Sequence, residues 1–166
     1  MTETAIADHA LIGDLQTAAL VTTDGSVDWL CLPRFDSPSV FGALLDDERG
    51  GHFRIRPAGV PYTSKQMYLP DTAVLVTRFF TDAGLGQVMD FMPPAGTTAT
   101  DNHRIVRIVQ CVRGRMTFEI DVAPGSTTAG TPTPSSEPST APSSRRTASG
   151  SPCTSSARPT TSGWPR

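Results

Sequence analysis

Apolar residues recur at every second position along much of residues 1–124, which is the pattern of half-buried β-strands. The alternation predicts strands at residues 18–22, 26–32, 52–57, 66–69, 73–81, 86–92, 103–112 and 116–122. Asp24-Gly25 and Asp82-Ala83-Gly84 lie between pairs of these runs and predict hairpin turns, and Arg113-Gly114-Arg115 predicts a third. Short strands with turn signals at this spacing predict an all-β fold, an incomplete antiparallel β-sandwich.

One segment departs from the alternation and predicts a short helix. Ser37-Pro38 has the form of a helix N-cap followed by proline at the first helical position. Apolar residues then follow at helical spacing over residues 39–45, where we place the helix. In the strand before it, strict alternation predicts that Val27 and Trp29 share one face and that Leu30 lies on the other.

The composition of the chain changes after Pro124. Residues 125–166 contain no Ile, Leu, Val, Met, Phe or Tyr, and 27 of these 42 residues are Ser, Thr or Pro. Such a segment buries too little apolar area to offset its chain entropy. We therefore divide the chain into a β-sandwich domain at 1–124 and a disordered Ser/Thr/Pro-rich tail at 125–166.

Two explanations compete for the tail, a natural linker and out-of-frame translation. In a GC-rich gene, losing one base moves the G or C of the wobble position to the middle of each codon. Such codons encode only Ser, Pro, Thr, Ala, Gly, Arg, Cys and Trp, and every tail residue except Glu137 belongs to this set. Undoing the shift also turns Ser149, Ser151, Cys153 and Ser155 into apolar residues, which is a strand pattern. We favour a frameshift.

Charge and leader signals exclude several classes of partner. The formal net charge is −2, and the tail holds four Arg and one Glu, which leaves ten basic and fifteen acidic side chains in residues 1–124. This acidic balance predicts no nucleic acid partner and no anionic membrane surface. The first nine residues lack a basic, apolar leader, and no stretch approaches the roughly 20 apolar residues of a membrane span. We expect a cytoplasmic protein.

The three cysteines and the short motifs give no sign of a cofactor. Cys31, Cys111 and Cys153 show neither C-x-x-C spacing nor a histidine at ligand distance, so we predict no metal site. Cys31 and Cys111 lie inside apolar strands and are predicted to be buried thiols. No P-loop, dinucleotide fingerprint or H-E-x-x-H motif occurs.

The candidate chemistry lies at the end of one strand. A glycosidase needs two carboxylates roughly 5–9.5 Å apart, but Asp24 and Asp46 are better explained by a turn and by helix termination, so we predict no catalytic residue. Trp29, Arg34 and Asp36 are different, because with Phe35 they occupy a strand end and loop where binding sites tend to lie. These side chains could stack on sugar rings and bond their hydroxyls. The alternative is a core tryptophan with an Arg34–Asp36 pair that locks the loop.

Residues 12–46 (IGDLQTAALVTTDGSVDWLCLPRFDSPSVFGALLD) resemble the opening of the bacterial glycoside hydrolase family 15 proteins, the glucoamylase- and trehalase-like enzymes. Residues 68–72, 88–93, 104–107 and 118–124 are similar to the same family in the same order. The resemblance implies an N-terminal β-sandwich followed by an (α/α)6 barrel, in which paired glutamates hydrolyse α-glucosidic bonds with inversion. No carboxylate of this chain matches the catalytic motifs of that family.

The sequence therefore predicts the non-catalytic N-terminal domain of an α-glucoside hydrolase, inactive as this fragment. Its expected partner is the catalytic (α/α)6 barrel of the intact enzyme, which alone would bind the α-glucoside substrate. Trp29, Arg34, Phe35 and Asp36 are predicted to lie at the substrate rim or at the domain interface. The alternative is a free-standing carbohydrate-binding module with a flexible tail.

Overall fold

The computed structural model describes residues 5–94, 96, 98–99, 101–125 and 144–148. Within these ranges a 3-10 helix at Ile6–Asp8 precedes eleven β-strands. The strands are β1 (His9–Gly13), β2 (Ala18–Thr22), β3 (Ser26–Cys31), β4 (Ser39–Phe41), β5 (Gly51–Pro57), β6 (Thr63–Tyr68), β7 (Leu75–Thr81), β8 (Gly84–Phe91), β9 (Val106–Gly114), β10 (Phe118–Pro124) and β11 (Ser144–Ala148). No helix in the described part of the chain has the length and apolar content to cross a membrane.

The strands form two antiparallel sheets, as the alternation predicts. Sheet A runs in the order β1-β2-β3-β5-β10-β11, and β4 pairs with β3 outside this path. Sheet B is a meander of four consecutive strands, β6-β7-β8-β9. Because β5 and β10 are neighbours in sheet A, the whole of sheet B is inserted in the sequence between two paired strands.

The core lies between the sheets in two adjoining clusters. The larger cluster joins buried residues from both sheets: Ile12, Ala19, Val21, Val27, Leu30, Phe41, Leu75 and Met92. The smaller one contains Ile55, Phe79, Val88 and Phe118. Phe79 is central to it, because its ring meets Phe118 edge-on at 6.0 Å and Tyr62 edge-on at 5.4 Å between centroids.

A buried ion pair joins sheet B to sheet A beside this core. Arg107 Nε donates to Asp90 Oδ1 at 2.8 Å, and Nη2 donates to Asp90 Oδ2 at 3.1 Å. The same guanidinium donates to the backbone oxygens of Phe53 (2.6 Å) and Gly25 (2.8 Å) and lies 4.7 Å from the centre of the Phe53 ring. Arg107 therefore satisfies a buried carboxylate and bridges the sheets at one point.

A β-bulge in β3 overturns the predicted faces of that strand. Val27 and Trp29 pair with the consecutive residues 20–21 of β2, which leaves Asp28 as the extra residue. The bulge shifts the alternation by one, so Val27 and Leu30 both lie in the core, although they are three residues apart. Trp29 is half-buried. Contrary to the prediction, it does not share a face with Val27.

The helix predicted at residues 39–45 is wrong. Ser39–Phe41 instead forms β4, which pairs with β3, and a turn follows. Phe41 is buried in the core, but Leu45 is 77% exposed, so the apolar residues of this segment do not share one buried face. Pairing with an existing strand outweighs a weak local preference for helix.

Two of the three predicted hairpins are confirmed. Gly25 turns β2 into β3 with φ of 85°, and Asp82-Ala83 joins β7 to β8. The hairpin predicted at residues 113–115 is wrong, because β9 pairs with β8 in sheet B while β10 pairs with β5 in sheet A. The chain crosses between the sheets there, since β10 supplies seven residue pairs to β5.

Most of the predicted tail lies outside the described residues. The exceptions are Gly125 and β11, whose residues Ser144–Ala148 pair antiparallel with β10. Here the structure differs from the predicted disorder, because pairing along a sheet edge uses backbone groups and needs no apolar side chain.

Candidate functional site at one end of the sandwich

Four connections between strands meet at one end of the sandwich, which we call the loop end. They span residues 14–17, 32–38, 69–74 and the described part of 92–105. Two polar contacts join these connections to β3 and to each other. Thr17 Oγ1 donates to the Cys31 carbonyl at 2.8 Å, and His103 Nδ1 lies 2.5 Å from Asp14 Oδ2. The second contact joins a loop of sheet A to a loop of sheet B.

The loop at residues 32–38 is a self-contained turn with Phe35 near its tip. Arg34 Nη2 donates to Asp36 Oδ2 at 2.9 Å, and both side chains are largely exposed. The backbone N–H of Arg34 donates to Ser37 Oγ at 3.1 Å, and the Ser37 N–H donates to the Arg34 carbonyl at 3.0 Å. Phe35 is 62% exposed. The contacts between Arg34 and Ser37 close the loop, the ion pair lies on its surface, and the ring of Phe35 faces solvent.

Trp29 lies on β3 just before this loop and is half-buried. It belongs to neither buried cluster of the described core. No aromatic contact joins it to Phe35 in the part of the chain that the structure describes. The structure therefore brings Arg34, Phe35 and Asp36 together and leaves Trp29 on the strand behind them.

Leu15 is a feature of the loop end that sequence reasoning missed. It is 90% exposed and has a left-handed backbone, with φ of 76°, which is uncommon for a residue with a Cβ. Asp14 holds this turn, because its Oδ1 accepts hydrogen bonds from the N–H groups of Gln16 (3.1 Å) and Thr17 (2.9 Å). An Asp at the first position of a polar turn is the signal that could have revealed it.

The carboxylate of Asp14 is a structural group. Burial alone would raise the pKa of Asp14, but hydrogen bonds from His103 and from the backbone N–H groups of Thr17 and Gln16 lower it. A shallow cleft of about 200 Å³ lies beside it, lined by Asp14, Leu15, Gln16, Gly96, Thr98 and Ala99. Ligand pockets usually enclose roughly 300–1,000 Å³, so this cleft is small for a catalytic pocket.

The other carboxylates with described partners also have structural roles. The pairs are Asp28 with His9, Asp36 with Arg34, Asp90 with Arg107, Asp121 with His52 and Arg54, and Glu119 with Arg56. The turn role predicted for Asp24 is confirmed, because its Oδ1 accepts hydrogen bonds from Thr22 Oγ1 and the Ser26 N–H. Within the described ranges, no three His, Cys, Asp or Glu residues are grouped to hold a metal ion.

The His9–Asp28 pair lies at the bulge of β3. His9 Nε2 is 2.7 Å from Asp28 Oδ2, and the His9 side chain is almost fully buried. Burial disfavours a charged His9 ring, but the hydrogen bond and the charge of Asp28 outweigh it and raise the His9 pKa. Burial also raises the pKa of Asp28, whose Oδ1 is buried with no hydrogen-bond partner among the described residues.

The cysteines differ in burial. Cys31 is buried as predicted, and burial raises the pKa of its thiol. Cys111 lies on β9, an edge strand of sheet B, and is only half-buried, so the prediction of a buried thiol is wrong there. An edge strand has a neighbour on one side only, which a sequence pattern does not reveal.

The aromatic residues that could form a sugar-binding platform are separated. Tyr62 packs edge-on against Phe79 in the core. The Tyr68 hydroxyl accepts a hydrogen bond from the Leu11 N–H at 2.9 Å and donates to the Leu11 carbonyl at 2.8 Å, so it ties β6 to β1. The described residues therefore contain no flat row of exposed aromatic rings that includes Trp29 and Phe35.

A row of apolar residues crosses one face of sheet B, exposed at its two ends and buried at Val76. Met67, Val76, Met89 and Ile108 pair directly with one another across the four strands. Directly paired residues point to the same face, so these side chains form one apolar row. Met67 and Ile108, at the two ends of the row, are both more than one-third exposed.

Comparison with known proteins identifies the relatives of the chain. Residues 1–134 match the family model described as trehalase-like, N-terminal. The trehalase of Mycobacterium tuberculosis is 38% identical over 134 residues, which cover 72% of this chain and 20% of that protein. Trehalase of Thermoplasma volcanium is 34% identical over 118 residues (70% and 19%), and trehalase 1 of Sulfolobus acidocaldarius is 49% identical over 82 residues (49% and 14%). No solved structure gives a significant match.

The coverage of these alignments is uneven. Most of residues 1–134 align, but the chain spans only about a fifth of the length of the first two relatives that it matches. The family model begins at residue 1 and ends within the segment that follows Pro124.

Proposed function

Because the chain belongs to the family of trehalase-like N-terminal domains, we propose that it serves as the N-terminal domain of an α-glucoside hydrolase of the trehalase type. The single observation that carries this proposal is the match over residues 1–134 to a region shared by several proteins named trehalase. We assign the parent enzyme to glycoside hydrolase family 15, the group that includes glucoamylase-like enzymes, on the sequence motifs of residues 12–46.

The proposed role of this domain is structural rather than catalytic. Hydrolysis of a glycosidic bond needs one carboxylic acid and one carboxylate free to act on the bond and on water. The buried carboxylates Asp14, Asp28, Asp90 and Asp121 instead accept hydrogen bonds from histidine or arginine side chains. These contacts support the proposal that the 166-residue chain has no hydrolytic activity of its own.

We propose that the loop end packs against the catalytic (α/α)6 barrel of the parent enzyme. Leu15 and Phe35 support this, since both are strongly exposed apolar side chains. Each lies on a loop that is held by a hydrogen bond between a side chain and the backbone. In this arrangement the Arg34–Asp36 pair positions Phe35, and Trp29 supports the loop from β3. The substrate, an α-glucoside, binds in the barrel, with this loop at the domain interface or at the substrate rim.

A chimera tests this role. Residues 1–124 replace the aligned N-terminal region of the Mycobacterium tuberculosis trehalase, and release of glucose from trehalose is measured. We expect the chimera to hydrolyse trehalose and the 166-residue chain alone to release no glucose from trehalose or maltose. Phe35→Asp should reduce the activity of the chimera at least tenfold, because a carboxylate would be buried at an apolar contact.

The matched control is Phe80→Asp, which makes the same substitution at a partly exposed Phe at the opposite end of β7. An equal loss of trehalose hydrolysis in the two variants of the chimera would show that the loop end is not the surface that contacts the barrel. Glucose release by the 166-residue chain alone would contradict the structural role.

The alternative function, a free-standing carbohydrate-binding module, has little support in the aromatic residues. Tyr62 and Tyr68 are held in the core and against β1, and Phe35 lies apart from them on a loop. Titration of the chain with trehalose, maltose and maltooligosaccharides distinguishes the two functions. Binding at millimolar concentration or better would favour the module.

We also propose that residues 125–166 are translated out of frame. The support is compositional, since 41 of these 42 residues belong to the set encoded by codons with a central G or C, which the shift would produce in a GC-rich gene. An independent read of the genomic locus tests this. A read that preserves the present frame would refute the proposal.

A further inference from the structure

β9 is an open edge of sheet B. It pairs with β8 on one side and is the last strand of the sheet among the described residues. Residues 108–112 of this strand (IVQCV) contain no charged residue and no proline. Ile108, Val109 and Val112 are 43%, 39% and 45% exposed. An edge of this kind offers backbone hydrogen-bonding groups and apolar side chains to an added strand.

Three other edge strands are short, blocked or charged. On β1, the backbone N–H and carbonyl of Leu11 both bond the Tyr68 hydroxyl, which blocks the middle of that edge. β6 carries Lys65 in its middle, and a charged residue at an edge opposes pairing with another strand. β4 is only three residues long. Compared with these three, β9 offers the longer uncharged stretch for pairing.

The two sheets extend to different distances at this side of the sandwich. Val109 pairs with Val88, which clusters with Ile55, and Ile55 pairs with Ile120 of β10. β9 therefore lies opposite β10. Sheet A continues from β10 to β11, whereas sheet B ends at β9 in the described part of the chain. The place beside β9 thus lies opposite β11, and sheet A would cover one face of a strand added there.

This geometry favours a single strand over a second copy of the chain. If the β9 strands of two copies were paired, the β10 strand of the second copy would lie opposite its own β9. That position is the one that β11 of the first copy takes in sheet A. Two complete sandwiches would therefore collide, whereas one extended segment brings no second sheet and fits beside β9.

Exposed arginines lie at both ends of the uncharged stretch. Arg104 precedes it, and Arg113 and Arg115 follow it. None of the three forms an ion pair with a carboxylate among the described residues. Residues 104–115 contain no Asp or Glu. The edge thus has an apolar centre between two positive ends, which complements a segment with acidic ends.

We propose that the free edge of β9 is a strand-acceptor site for an extended peptide segment with apolar residues at alternate positions and acidic residues at both ends. The segment pairs with β9 through backbone hydrogen bonds. Its apolar side chains lie on the face of Val109, between the sheets, and its acidic ends lie near Arg104 and Arg113. This inference is independent of the proposed function, since it depends only on where the two sheets end.

The test uses the complete 166-residue chain and a labelled peptide with Val at alternate central positions, Thr between them and two Glu at each end. Fluorescence anisotropy measures binding, and hydrogen–deuterium exchange locates it. We expect saturable binding and slower exchange in β9, with no change in β6. A peptide of the same composition with consecutive Val residues should bind at least tenfold more weakly, because it cannot place every Val on one face.

A pair of charge reversals tests the contribution of the acidic ends. Arg113→Glu should weaken binding at least fivefold at low salt, and the loss should shrink at about 0.5 M NaCl, where exposed charges are screened. Lys65→Glu is the matched control, because it makes the same change of net charge on β6, at the opposite edge of sheet B. It should change the affinity less than twofold.

A pair of lysine substitutions tests which face of β9 the apolar side chains contact. Val109→Lys should weaken binding about tenfold, because a charge would lie among apolar side chains between the sheets. Ile108→Lys adds the same charge on the opposite face of the same strand and should change the affinity less than twofold. If either lysine variant fails to fold, the charge reversals and exchange in the unaltered protein still decide the result.

Several results would overturn the inference. One is the absence of saturable binding, and another is equal affinity for the alternating and the consecutive peptide. Equal losses in Arg113→Glu and Lys65→Glu would contradict the assigned edge, as would slower exchange in β6 or β10 rather than in β9. Self-association of the chain that Val109→Lys abolishes would identify a second copy as the occupant, which also contradicts the inference.

Discussion

The two halves of β9 lie in different environments although they belong to one strand. Near its start, the side chain of Arg107 is buried and bonded to Asp90, Phe53 and Gly25, so it closes the space between the sheets. Further along, Val109 and Val112 are partly exposed. One half is closed by a charged residue that is bonded to both sheets, and the other remains partly exposed although it carries Val109 and Val112.

This difference shows that burial depends on the presence of an opposing strand more than on side-chain hydrophobicity. Arg107 is buried because sheet A supplies two carbonyl groups and sheet B supplies a carboxylate at the same point. Val109 also faces inward, because it pairs with the fully buried Val88, but it is 39% exposed. A sandwich is thus completed strand by strand, whatever the pattern of any single strand.

Removing the charged bridge should have the largest effect on stability. Arg107→Met leaves Asp90 as a buried carboxylate without its cation, and we expect the free energy of unfolding to fall by about 3–5 kcal/mol. Urea denaturation of the full chain measures the change. The control is Arg34→Ala at the exposed ion pair with Asp36, where less than about 1 kcal/mol is expected. Equal losses would mean that Arg107 does not bridge the sheets as described.

Truncation of two paired valines sharpens the comparison at intermediate size. Val88 and Val109 are direct partners on β8 and β9, but only Val88 is fully buried. Val88→Ala should cost about 2 kcal/mol, from two buried methyl groups and the remaining cavity. Val109→Ala should cost less than about 0.5 kcal/mol, because its side chain already contacts solvent. Similar losses in thermal or urea unfolding would show that the β9 edge is covered in solution.

The smallest effect is expected from the histidine pair at the bulge, and it depends on pH. Burial of the ring lowers the pKa of His9, but the hydrogen bond and the negative charge of Asp28 outweigh this effect and raise the pKa above 6.5. Protonated His9 therefore stabilises the fold below pH 6.5, and this contribution is lost as pH rises through the pKa in the folded protein. The free energy of unfolding should fall between pH 6 and 8 and fall less in His9→Gln. An identical pH profile for both proteins would contradict this assignment.

Much of the fold could be predicted from period-two alternation and turn residues. Ala18–Thr22 and the two hairpins at Gly25 and Asp82-Ala83 follow directly from residues that favour strands and tight turns. The strand at His9–Gly13 was not predicted, because it lies at the edge of sheet A, where alternation is weak. Local patterns identify strands well when both neighbours in the sheet are present.

Three features of the structure depend on contacts that no local pattern contains. The bulge at Asp28 follows from the register between β2 and β3. The chain crosses to sheet A after Gly114 because β10 pairs with the edge of β5 that β3 leaves free. At the candidate site, the sequence indicated the loop of Arg34, Phe35 and Asp36 but not Leu15. Leu15 is exposed because Asp14 accepts hydrogen bonds from the backbone of the same turn. A hydrophobicity pattern contains no sign of these bonds and predicts that Leu15 is buried.

The insertion of sheet B between β5 and β10 sets an order for assembly during synthesis. The four strands of sheet B are consecutive, so each can pair as soon as the next one leaves the ribosome. The edge of β5, which ends at Pro57, must wait for Phe118 and the residues after it. We expect the nascent chain to carry a finished four-stranded meander beside a half-built sheet, which makes β5 the place where a chaperone or a neighbouring nascent chain would bind first.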